Sequence, residues 1–106
     1  MIDRRARAEL RARTERVLDD IETRAARDPA AAPMWQGFAV QLRALLAWTK
    51  DDRLPTSEEL ERITVGNMAI HELGETFAET PPDLQDLREE LMIIQDDVMS
   101  FYAPFP

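Results

Sequence analysis

Leu84-Gln85-Asp86-Leu87-Arg88-Glu89-Glu90-Leu91-Met92-Ile93-Ile94-Gln95-Asp96-Asp97-Val98-Met99-Ser100-Phe101 is the stretch that decides the fold. Leu84, Leu87, Leu91, Ile94, Val98 and Phe101 recur three and four residues apart, the period of a helix that buries one stripe in a bundle seam. Asp83, just after Pro81-Pro82, is placed to cap the amino end. The outer faces hold Asp86, Glu89, Glu90, Asp96 and Asp97, with Arg88 as their one basic neighbour. A helix over residues 83–102 follows. The tail 103–106, with Pro104-Phe105-Pro106, ends it and is expected to fold its aromatics back onto the bundle.

Three breaks divide the rest of the chain: Asp28-Pro29-Ala30-Ala31-Ala32-Pro33, Lys50-Asp51-Asp52-Arg53-Leu54-Pro55 and Thr80-Pro81-Pro82. Before the last of them, Thr56-Ser57-Glu58-Glu59 fits a capping box, with Leu54 placed to close a hydrophobic staple. Leu60, Ile63, Val65, Met68, Ala69, Ile70, Leu73 and Phe77 then supply the apolar body of one helix over 57–79. Ile63-Thr64-Val65 alone reads as a strand, but the cap and the run after it outweigh that. Gly66 in mid-helix costs about 1 kcal/mol against alanine, so a neighbouring helix is expected to pass close to it.

Residues 34–50 form the second helix, with Trp35, Phe38, Leu42, Leu45 and Leu46 on one side and Val40 and Trp48 widening it. So apolar a helix should be covered on more than one face. Residues 4–27 form the first. Leu10, Thr14, Val17, Leu18, Ile21 and Ala25 share a stripe, and Glu9 with Arg13 and Asp20 with Arg24 are i,i+4 pairs. Arg4, Arg5 and Arg7 lack an apolar stripe and oppose the helix dipole, which predicts fraying there. The expected fold is therefore all-α: a single domain over 1–106, a four-helix bundle without a sheet.

Composition narrows function mainly by exclusion. The chain has 106 residues, of which 44% are hydrophobic and 32% charged, as in an ordinary soluble domain. It has no cysteine, which excludes disulfides, thiolate metal sites and cysteine nucleophiles. No apolar run approaches the ~18 residues of a membrane span. Met1 to Arg16 leads into no apolar segment and does not read as a signal peptide, so a cytoplasmic protein is expected. His71 is the one histidine, and His71-Glu72-Leu73-Gly74-Glu75 lacks the second histidine that a zincin motif needs. Ser57 and Ser100 have no base nearby in sequence, and Gly37, Gly66 and Gly74 make no phosphate loop. No enzyme, metal, cofactor or small-molecule substrate is expected.

The net charge of −8 is unevenly placed, with +3 over residues 1–50 and −11 over 51–106. An acidic half repels phosphate backbones, so no nucleic acid is expected as partner, and no membrane. It suits a basic protein surface.

Ile63-Thr64-Val65-Gly66, Ala69-Ile70, Glu72-Leu73 and Pro82-Asp83-Leu84 together resemble a motif of small all-helical bacterial immunity proteins. The family in question protects against type VI secretion effectors, and its nearest branch neutralises NAD(P)+-glycohydrolase toxins. The textual resemblance covers about twenty-five residues; the four-helix layout extends it to the rest. His71 stands where the family pattern calls for lysine or arginine, and Phe77-Ala78-Glu79-Thr80 lengthens the link to the last helix. The resemblance implies an antitoxin that binds a cognate toxin domain and covers its active site. The alternative is a regulatory or adaptor bundle that engages another cellular protein. The expected binding surface is acidic: Glu72, Glu75 and Glu79, with Asp83 and Asp86 brought within one bend by Pro81-Pro82.

Overall fold

Buried stripes account for every long helix of the computed structural model, which describes residues 4–102. Its elements are α1 (Arg4–Arg27), α2 (Ala32–Trp48), α3 (Ser57–Glu61), α4 (Val65–Leu73) and α5 (Gln85–Phe101), with 3-10 turns at Lys50–Asp52 and Pro82–Leu84. No strand occurs among the described residues. The all-α bundle is as the periodicity requires. Leu91, Ile94 and Val98 of α5 are fully buried, and Leu10, Thr14, Val17, Ile21 and Ala25 form the inner stripe of α1. From α2, Trp35, Phe38, Ala39, Leu42 and Leu45 complete the same core. The principal contacts run between α1 and α2, α4 and α5, and α1 and α5.

Arginines of α1 reach the carboxyl ends of its neighbours. Arg7 donates to the carbonyl of Phe101 at 3.3 Å, and its guanidinium lies 4.9 Å from the centre of the Tyr102 ring. Arg11 donates to the carbonyl of Leu46 at 2.9 Å and to the Thr49 hydroxyl. The last carbonyls of a helix lack intrahelical donors and carry the negative end of its dipole, so cations belong there. Arg4 pairs with Asp52, which with Asp51 adopts positive φ, a conformation aspartate tolerates better than most residues. The first turns of α1, expected to fray, are therefore helical from Arg4.

The continuous helix expected over 57–79 is two short helices, α3 and α4, followed by a loop. The capping box at Thr56 and Glu59 is present in both directions, but α3 stops at Glu61. Leu54, expected to staple it, is 59% exposed. The break falls at residues 62–64, where Ile63-Thr64-Val65 bring branched side chains that lose rotamer freedom in a helix. Gln41 of α2 holds the break open: its Oε1 accepts from the Thr64 amide at 2.6 Å, and its Nε2 donates to Thr64 Oγ1 at 2.9 Å. Gly66 is consequently the second residue of α4 rather than a mid-helix position. The close crossing expected of it is real, since a Cβ there would stand 2.8 Å from Gln95 Cβ on α5.

Other departures are smaller. The second helix spans 32–48 instead of 34–50; it packs on both α1 and α4, and Val40 on it is 61% exposed. Asp83 lies inside a 3-10 turn and caps nothing; α5 begins at Gln85 without a side-chain cap. Residues 103–106, where the aromatic tail was expected to fold back, lie outside the described residues.

Candidate functional site

The segment between α4 and α5 departs most from expectation, and it carries most of the expected binding residues. α4 ends at Gly74, whose φ of 153° is open to glycine and strained for other residues. A side chain at 74 would also collide with Thr80. The loop that follows is tied down along its length. Arg88, only 7% exposed, donates from Nε to the Gly74 carbonyl and from Nη2 to the Glu75 carbonyl, both at 2.8 Å. Its Nη1 meets Glu89 at 2.9 Å. Thr80 is buried and donates from its hydroxyl to the Thr76 carbonyl at 2.8 Å. Gln85 donates to the carbonyls of Phe77 and Thr80 at 3.0 and 3.2 Å.

Arg88 was expected on the solvent face of the last helix. Its burial is explained by those carbonyls: a guanidinium can leave water when fixed acceptors replace the hydration it gives up. The loop needs a donor of that reach because the end of α4 has no further turn to supply one. Nothing in the local sequence marks the role, since Arg88 sits at a position of α5 flanked by carboxylates.

The five expected site residues are all exposed. Glu72 is in the last turn of α4, Glu75 and Glu79 are on the clamped loop, Asp83 is in the 3-10 turn, and Asp86 is in the first turn of α5. None of their carboxylates enters an ion pair or hydrogen bond within the described residues. Of the remaining α5 carboxylates, Asp96 is likewise exposed and without an ion pair among the described residues, while two others are paired. Glu90 pairs with Arg13, and Glu89 pairs with Arg88. Burial pushes the Asp97 carboxyl above its usual range, against the pull of Arg13.

Asp83 and Asp86 turn towards α1. Asp83 lines an open groove of about 500 Å³ with Asp20, Arg24, Arg27, Trp35 and Leu84. Arg24 crosses it, donating to Asp20 at 3.1 Å and to the Asp83 carbonyl at 3.2 Å, with Trp35 beneath its guanidinium. Asp86 lines a smaller groove with Arg16, Asp20 and Glu90. Glu72, Glu75 and Glu79 line neither. The five residues thus divide into three on α4 and its loop and two beside α1.

Phe77 is a second residue that the sequence misplaced. Expected in the apolar body of a helix, it stands on the loop with 48% of its surface exposed. His71 is exposed on α4, and no group of three or more His, Asp and Glu side chains among the described residues is arranged to hold a metal ion. No known family model, curated protein or solved structure matches this chain.

Proposed function

We propose that this chain is a non-catalytic immunity protein that binds a toxin domain and covers its active-site cleft. The observation that carries the reading is electrostatic. Glu72, Glu75, Glu79, Asp83 and Asp86 are exposed, have no cation partner among the described residues, and belong to the half of the sequence with a net charge of −11. Uncompensated carboxylates on a folded surface repel one another and attract a basic partner.

A cleft that binds an anionic dinucleotide is itself basic, so carboxylates held on a rigid surface can occupy the place of substrate phosphates. Inhibition then needs no chemistry from the inhibitor, only coverage and a slow dissociation rate. The motif Ile63-Thr64-Val65-Gly66, Glu72-Leu73 and Pro82-Asp83-Leu84 supports the same reading and points to an NAD(P)+ glycohydrolase as the toxin. Such an inhibitor would act in the cytoplasm.

The test is co-expression with the protein encoded by the adjacent gene. The expected result is that the neighbour alone arrests growth, that this chain restores it, and that the two co-purify. A neighbour that is harmless alone and does not bind this chain would sink the proposal.

A further inference from the structure

Five large apolar side chains are exposed among the described residues: Val40, Leu54, Phe77, Ile93 and Met99. Phe77 is the aromatic one. Trp35 and Phe38 are buried, and Trp48, Phe101 and Tyr102 pack against the core. Single exposed apolar residues are ordinary on protein surfaces. What sets Phe77 apart is the contrast between its ring and its backbone. Its carbonyl accepts from the Thr80 amide at 3.2 Å and from Gln85 Nε2 at 3.0 Å, while almost half of its surface faces water. Arg88 fixes the entry to the same loop at Gly74 and Glu75, and the buried Thr80 closes its exit.

We propose that Phe77 is the anchor of the protein interface, its ring entering an apolar pocket within a basic surface of the partner. The proposal rests on the inhibitor reading above and adds the residue that gives it affinity. Interface energy concentrates in a few aromatic or arginine side chains, with weaker polar contacts excluding water around them. A loop already ordered by its own hydrogen bonds loses little further freedom on binding, which leaves more of the contact energy as affinity. Charge complementarity selects the partner. Glu75 and Glu79 share the loop with Phe77, and their unpaired carboxylates favour a basic rim and reject an acidic one. On this division the carboxylates speed encounter, and the ring slows departure.

The experiment uses the full chain and the adjacent-gene protein, with dissociation constants and rates measured for wild type, Phe77→Ala and Val40→Ala. Val40 is the control, being 61% exposed on α2, away from the loop. Phe77→Ala should keep the melting temperature and raise the dissociation constant about tenfold or more, mainly through the dissociation rate. Val40→Ala should bind within about twofold of wild type. If wild type binds and Phe77→Ala binds equally well, the anchor is wrong and the inhibitor reading stands. If both variants weaken alike, the anchor is also wrong. If wild type does not bind, both proposals fall.

Discussion

A hydrogen at position 66 in place of a side chain lets α4 lie directly on α5. The Gly66 amide, one of the first donors of α4 and so without an intrahelical acceptor, meets Gln95 Oε1 at 3.2 Å. A Cβ there would stand 2.8 and 2.9 Å from Gln95 Cβ and Cγ, the first of them fixed to the α5 backbone. Gly66→Leu should therefore lower stability by about 1–3 kcal/mol in urea denaturation, despite leucine's better helix propensity. A more stable variant would show that the helices can part at no cost. Tyr102 offers a second measurement at this scale. It is the chain's single tyrosine, so an absorbance titration reads it alone. Burial pushes its hydroxyl above the ordinary 10.0, against the pull of Arg7 and Arg11 and aided by Asp52. A folded value above the unfolded one means that the stabilisation is complete below about pH 10 and disappears as pH rises through the folded value. The expected titration midpoint is higher in the folded chain than in urea; equal midpoints would place the hydroxyl in open water. The close crossing at Gly66 was legible from its cost. The arginine contacts that pack Tyr102 were not, because capping by a cation distant in sequence leaves no local pattern.

α5 and α1 were legible because each buries one unbroken stripe, and period alone decides such helices. The region 57–79 was not, although its signals were visible. Three successive branched residues, Ile63-Thr64-Val65, weaken a helix locally, but only Gln41 of α2 makes the break favourable, and that contact is tertiary. The same holds at the other end, where Gly74 could end a helix but the loop beyond it depends on Arg88. Arg88→Met keeps an unbranched apolar stem and removes the donors. The Gly74 and Glu75 carbonyls then lose their partner, which should cost about 1–3 kcal/mol. Amide exchange at Thr80, whose proton is held by the Phe77 carbonyl, should accelerate more than exchange at Leu91 in the core. Uniform acceleration at both would mean that Arg88 supports the whole bundle and not the loop.

Most of the positive charge of the molecule is spent internally. Arg7 and Arg11 serve helix ends, Arg88 serves the loop, and Arg4, Arg13, Arg24, Arg43 and Arg53 pair with Asp52, Glu90, Asp20, Glu22 and Glu59. Arg16, Arg27, Lys50 and Arg62 remain exposed as well, but the stretch from the last turn of α4 to the first turn of α5 holds five exposed carboxylates without an ion-pair partner among the described residues. The sequence located these carboxylates from charge bookkeeping along the chain. It could not tell free ones from paired ones, since partners such as Arg13 and Glu90 lie 77 positions apart. That distinction now ranks the surfaces: Glu72 and Glu75 before Glu89 and Glu90. Glu72→Lys with Glu75→Lys breaks no internal contact of either side chain, so helical signal and melting temperature should stay nearly unchanged. Association with the adjacent-gene protein should slow, its rate should depend less on salt, and the dissociation constant should rise at least tenfold, about 1.4 kcal/mol. A folded double variant that bound at wild-type affinity and still rescued growth would remove α4 and its loop from the interface. The grooves beside α1 that hold Asp83 and Asp86 would then be the next surface to reverse, because those carboxylates are equally unpaired and face a different neighbour.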